Sequence, residues 1–197
     1  TLRHSSAASD VYKRQALSGL DIALWDIKGK YFNTPVYKLL GGSKNKIPSY
    51  AGGIALGWQE PESLAEEALS HISEGYNAIK LRVGDKIKKD LERVEKVRKI
   101  IPENIEILVD ANTNYSLKDA QNAIPFYEDL QITWLEEPFP AMEFNNYRTA
   151  KSFGNLSFAA GENHFTRYEF SRLIEDNVIN YAQPDVSKTG GVTELIR

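Results

Sequence analysis

The feature that most constrains this chain is a repeat: short apolar runs of strand length alternate with amphipathic stretches of helix length. "IPSYAGGI", "NAIKLRVG", "IEILVD", "ITWLEE", "LSFAAGE" and "VINYAQPD" read as strands. Between them "PESLAEEALSHISEG", "DKIKKDLERVEKVRKII", "SLKDAQNAIPFYED", a weaker "FNNYRTAKSF" and "TRYEFSRLIEDN" read as helices. Strand followed by helix, repeated, argues for a parallel sheet with helical crossovers. The strand runs are apolar without strict alternation, so both faces of the sheet are expected to be covered.

Acids choose between an open doubly wound sheet and a closed barrel. Asp110, Glu136 and Glu162 end three successive strand runs in equal steps of 26 residues. A (β/α)8 barrel of roughly 250 residues spends about 31 on each unit, and its active sites lie at the C-terminal strand ends, where these acids would converge. Six strands are expected, ending near Ala55, Arg82, Asp110, Glu136, Glu162 and Asp185. The expected fold is therefore α/β, an incomplete (β/α)8 TIM-type barrel of about six of the eight units. The alternative is an open sheet.

Ahead of the repeat, "ALSGLDIALWDIKGKYFNTPVYKLLGG" sets Leu17, Leu20, Ala23, Leu24 and Ile27 at helical spacing and closes on a Gly pair. This predicts an amphipathic helix and a short second one. Thr1–Gln15 shows no helical or strand period and is expected to be a disordered or non-native leader, or a frayed terminus; the barrel domain occupies residues 16–197.

Composition narrows the function. The net charge of −3 comes from interspersed acids and bases, which gives no footprint for nucleic acid and no basic membrane anchor. No apolar run approaches the ~20 residues of a membrane span. A small-molecule partner and a cytoplasmic location are expected. Cysteine is absent, so a metal must be held by oxygen or imidazole. Three carboxylates then suit a hard divalent cation, Mg2+ above all. A lone acid at a strand end would more simply cap a helix or pair on the surface.

Lys80 and Arg82 lie two apart on one strand and so share a face. A lysine beside a metal and a second cation can have its pKa drawn down toward neutrality and act as a base. Arg82 stays protonated and is suited to binding an oxyanion. Asp185 precedes Lys188 and a glycine-rich turn, where an aspartate is often a turn cap. His164 follows Glu162 and could reach the mouth of the barrel. His4, His71 and His164 share no metal-binding spacing.

Taken together, "ALSGLDIALWDIKGKYFNTPVYKLLGG", "VDAN", "EEP", "GEN" and "QPDVSKTGG" resemble the enolase superfamily, in its mandelate racemase and muconate-lactonizing branch, from Ala16 to the end. The resemblance implies Asp110, Glu136 and Glu162 as Mg2+ ligands, with Glu137 supporting them. It makes Lys80 the first lysine of a Lys-x-Lys motif, and Asn112 and Asn163 mouth-lining residues; Arg82, His164 and Lys188 are expected toward substrate from their positions. Asp185 matches the aspartate that pairs with a histidine on the following strand.

Arg82 departs from the family's second lysine. The capping domain, the later units and the partner histidine of Asp185 are expected to lie outside this chain. The implied chemistry is removal of a proton α to a carboxylate, giving a Mg2+-stabilised enediolate. With one base expected, it leads to dehydration of a sugar acid to a 2-keto-3-deoxy acid. Epimerisation and cycloisomerisation are the alternatives, an inactive barrel fragment is another, and the parent enzyme is expected to be a homo-oligomer.

Overall fold

The computed structural model describes residues 2–52 and 56–197, and in the first helix it describes side chains at 12, 13 and from 15 onward. The chain forms two units: Pro48–Ala160 with Asp176–Tyr181, and Thr1–Ile47 with Gly161–Glu175 and Ala182–Arg197. No helix among the described residues is long and apolar enough to cross a membrane.

The strands are β1 (Ala51–Gly52), β2 (Ala78–Arg82), β3 (Glu106–Asp110), β4 (Trp134–Glu136), β5 (Phe158–Ala160) and β6 (Tyr181–Ala182). They form one sheet in sequence order, open between β1 and β6, with parallel pairing from β1 through β5. This is the incomplete α/β barrel architecture that the repeat predicts.

Strands β2, β3 and β4 end at Arg82, Asp110 and Glu136, where the sequence puts them. By contrast, β5 stops two residues before Glu162 and β6 three before Asp185, so both acids belong to the following turns. The expected end near Ala55 lies outside the described residues.

In the first unit, helices α3 (Pro61–Ser73), α4 (Ile87–Ile100), α5 (Leu117–Asp129) and α6 (Phe144–Ala150) connect the strands. Ile79, Leu81, Ile107, Val109, Leu135 and Phe158 are buried together with Leu64, Val94, Val97, Ile124 and Tyr147 of those helices. Tyr147 meets Phe158 edge-on at 6.3 Å between ring centroids. The opposite parity of β2 carries Lys80 and Arg82, both only half-buried. Both faces of β2 are largely covered, one by apolar side chains and the other carrying the charged pair, whose side chains are 18% and 20% exposed.

A buried polar network fixes the loops above β2. The Asp90 carboxylate is fully buried and accepts hydrogen bonds from the backbone N–H groups of Gly84 (2.8 Å) and Asp85 (3.1 Å) and from the Tyr115 hydroxyl (3.2 Å). Arg93 pairs with it at 3.4 Å, and donates to the carbonyls of Gln59 and Trp58 at 2.9 and 3.3 Å. Residues 57–59 are thereby tied to α4. The Leu56 carbonyl accepts from the Arg82 N–H at 2.7 Å, and at Gly57 (φ +146°) a Cβ would fall 2.1 Å from the Arg82 carbonyl oxygen. Only glycine allows so close an approach. Burial pushes the Asp90 carboxyl up, even with these donors and Arg93 acting to lower it.

The second unit holds α1 (Leu2–Tyr31), α2 (Val36–Leu39), α7 (Thr166–Glu175) and α8 (Val192–Leu195). The segment read as a leader without period is helical from Leu2. The expected apolar stripe of α1 is exposed at Leu17, Leu20, Leu24 and Ile27, while polar residues make the helix contacts. Asp21 accepts from the Thr193 N–H (3.0 Å) and hydroxyl (2.6 Å), the Trp25 indole donates to that hydroxyl (2.9 Å), and Ser18 accepts from the Gly190 N–H (3.0 Å). Burial acts to raise the Asp21 carboxyl, but the Thr193 and Val192 donors bring it below its ordinary value.

Asp90→Ala removes the buried acceptor of the Gly84, Asp85 and Tyr115 donors and leaves Arg93, among the described residues, only the half-exposed Asp85 as an ionic partner, and should cost ~3 kcal/mol in urea unfolding. Lys99→Ala, which removes an exposed pair to Glu95, should cost under ~1 kcal/mol. Because the folded-state pKa of Asp21 is depressed, its contribution is present above about pH 4 and is lost as pH falls through the lower folded value. Hydrogen exchange of residues 192–196, corrected for intrinsic rate, should therefore rise at pH 3 relative to pH 6, and Asp21→Ala should show the raised exchange at both.

Candidate active site

Strand register builds the charged row. Arg82 pairs with Asp110 and Asp110 with Glu136, so the three side chains leave the same face at the C-terminal ends of β2, β3 and β4. Lys80 sits one step back on that face. Its ammonium lies 3.0 Å from Glu136 Oε1 and 3.4 Å from Asp110 Oδ2, and Arg82 Nη2 lies 3.5 Å from Asp110 Oδ2. The Asp110 and Glu136 side chains are only 5% and 3% exposed.

Each carboxylate is also held from a second direction. The Asn112 N–H donates to Asp110 Oδ1 at 2.9 Å, from a backbone turned to φ +44°, and the Trp134 indole donates to Glu136 Oε2 at 3.2 Å. Arg82 Nε is buried and has no hydrogen-bond partner among the described residues.

Burial alone would lower the Lys80 pKa, but the charges of Glu136 and Asp110 outweigh it and hold the ammonium above its ordinary value. The lowered pKa expected of Lys80 is that of a lysine beside a bound metal; between the two acids alone, its ammonium is favoured. Glu137 is buried too, with φ +36° and its N–H on the Ala159 carbonyl at 2.9 Å. Its charge adds to burial in raising the Tyr147 phenol.

The remaining expected residues lie in the second unit. The Asn163 amide donates to Glu162 at 3.5 Å and accepts from Lys188 Nζ at 3.4 Å, which links three of them in one chain. His164, expected at an open mouth, is fully buried with its ring 5.9 Å from that of Phe170. Asp185 caps its own turn: Oδ1 accepts from the Ser187 N–H and hydroxyl at 2.8 and 2.7 Å.

Among the described residues no group of three or more His, Asp or Glu side chains is gathered closely enough to hold a metal. The pair Asp110 and Glu136 is gathered. Two nearly buried carboxylates on adjacent strands, with all-oxygen donors and a cation already between them, fit a hard divalent ion such as Mg2+.

A parallel sheet with paired acids and a lysine at its C-terminal strand ends defines an α/β-barrel class of site. Residues 63–197 match the enolase C-terminal domain-like family, and residues 3–41 match the mandelate racemase / muconate lactonizing enzyme N-terminal domain. The chain belongs to the enolase superfamily, in the mandelate racemase and muconate-lactonizing branch. The N-terminal match falls within the segment expected to be a leader and on the helices after it.

Arabinonate dehydratase of Saccharolobus solfataricus is 35% identical over 92% of this chain and 49% of its own length. The 3,6-anhydro-alpha-L-galactonate cycloisomerase of Streptomyces coelicolor is 36% identical over 90% of this chain and 49% of its own. A crystal structure of an enolase superfamily member from Polaromonas sp. JS666 superposes with a TM-score of 0.91 at 51% identity, over 93% of this chain and 49% of that one. Epimerases are among the relatives as well. The chain spans about half the length of the curated relatives it matches.

The charged row predicts how the unit responds to losing its cation. Lys80→Met leaves Asp110 and Glu136 facing each other with Arg82 alone, and should lower stability by ~3 kcal/mol in urea unfolding. Added Mg2+ should restore more stability to this variant than it adds to the wild type.

Proposed function

We propose that this chain serves Mg2+-dependent removal of a proton α to a carboxylate, with dehydration of a sugar acid to a 2-keto-3-deoxy acid as the reaction. The observation that carries the reading is the buried row in which Lys80 bridges Asp110 and Glu136. Asp110 and Glu136 would hold the ion, with Glu162 as third ligand on the strength of its sequence step and the family resemblance. Bound there, Mg2+ would supply positive charge against the substrate carboxylate and against the charge that develops as the α-proton leaves.

The chain's own residues supply the rest. Lys80 stands beside the carboxylates as the group placed to move a proton, and Arg82 offers to an oxyanion an Nε–H that has no hydrogen-bond partner among the described residues. Asn112, Asn163 and Lys188 bind toward substrate hydroxyls, and Asp185 orients a base. His164 is buried beside Phe170 and is kept as a substrate-side residue through its place next to Asn163, and Glu137 supports the turn after β4. Relatives named arabinonate dehydratase and D-gluconate/D-galactonate dehydratase support the sugar-acid reading. A cycloisomerase reading has support from a relative of equal similarity.

The test is Mg2+ binding by calorimetry together with an aldonate and aldarate screen for 2-keto acid, run on the protein as its gene encodes it and in D2O to catch exchange without dehydration. Expected is one Mg2+ site, lost in Asp110→Asn, Glu136→Gln and Glu162→Gln alike, with 2-keto acid formed. Exchange or isomer formation alone would select epimerisation or cycloisomerisation. A chain that binds no Mg2+ and neither forms product nor exchanges α-protons would overturn the reading.

A further inference from the structure

Beneath the charged row lies a layer that the site description leaves without a role. Trp134 precedes Glu136 by two residues on β4, so it stands on the same face one step nearer the N-terminal end of the strand. Its indole N–H reaches up to Glu136 Oε2 at 3.2 Å, and the other oxygen of that carboxylate takes the Lys80 ammonium at 3.0 Å. Tyr50 completes the arrangement. Its ring meets Trp134 edge-on, 6.2 Å between centroids at 82°, and the Lys80 ammonium lies 5.5 Å from its centroid. Tyr181 packs on the other side of Trp134 at 4.8 Å.

We infer that Trp134 and Tyr50 are positioning residues: the indole N–H aims the Glu136 carboxylate, and the Tyr50 ring aims the Lys80 ammonium, through one shared edge-on contact. The inference rests on the reading of Lys80 and Glu136 as site residues.

Three features separate this layer from ordinary packing. A tryptophan that only fills space has no need of a charged acceptor, yet this indole donates to a carboxylate that is 3% exposed. A donor to one oxygen and an ammonium on the other fix the carboxylate against rotation about its last torsion, which is otherwise broad. The cation over the Tyr50 ring lies within the range where its quadrupole attracts charge. Residues that hydrogen-bond a metal-ligating group without touching the metal commonly change affinity ~10- to 100-fold when removed. Their position below the row, away from the C-terminal strand ends, keeps both rings out of the path of a substrate.

The experiment uses the full chain with 15N-labelled tryptophan indoles, and assigns the Trp134 signal by its loss in Trp134→Phe. That variant keeps a ring against Tyr50 and removes only the N–H. In the wild type the Trp134 indole proton should be shifted downfield, should move upfield in Glu136→Gln, and should move on titration with Mg2+. Trp134→Phe should bind Mg2+ ~10-fold more weakly by calorimetry, with an unchanged urea midpoint. Tyr50→Leu should weaken binding, and Tyr50→Phe should restore it, since the ring face and not the hydroxyl is what Lys80 meets. A Trp134 indole signal indifferent to Glu136→Gln, or wild-type Mg2+ affinity in Trp134→Phe, overturns the inference while leaving the site intact. If the wild-type chain binds no Mg2+, the proposed function fails, and the positioning role then stands or falls on the Glu136→Gln shift alone.

Discussion

Two carboxylates brought side by side at the ends of neighbouring strands repel each other, and burial makes that repulsion expensive. The Lys80 ammonium, 3.0 and 3.4 Å from Glu136 and Asp110, is what allows the row to exist. Its own burial would favour the neutral amine, but the two acids more than compensate. Everything around this cluster holds its members in place: register sets the row, the Asn112 N–H and the Trp134 indole each grip one carboxylate, and Arg82 adds a second positive charge. An ammonium between two oxygen donors marks a place where a divalent cation would be equally at home.

Much of this was legible in the sequence because strand periodicity is strict. Lys80 and Arg82 two apart had to share a face, and Asp110 and Glu136 ended strands at the same point of successive units. Alternation along a strand sends Glu136 and its neighbour Glu137 to opposite faces, and the first stands on the Lys80 row. The same parity would have flagged Trp134, two before Glu136, but a tryptophan in an apolar run reads as core, and only geometry shows where its N–H goes.

Other features were out of reach for physical reasons. The Asp90 network depends on side chains brought together from four segments, which no local period encodes. The equal step of 26 residues suggested equal strand ends, yet β5 stops before Glu162, since a glycine at 161 turns the chain where a Cβ would meet Gln183 at 2.6 Å. In α1 the apolar stripe suggested the packed side, but Asp21 and Trp25 hydrogen-bond Thr193 of α8 and Ser18 hydrogen-bonds Gly190 just before it. Asp185 shows how a motif can carry two meanings: its carboxylate visibly caps a turn, whatever it does in a reaction.

The central claim is that the space Lys80 holds between Asp110 and Glu136 is a divalent-cation site. Crystals of the chain grown with Mn2+ in place of Mg2+, measured for anomalous scattering, test it most directly. The account predicts a single strong peak at oxygen-ligand distance, about 2.1 Å, from both carboxylates, with the Lys80 ammonium moved off their shared edge. An anomalous map without a peak there, with Lys80 still bridging the two acids, would contradict it.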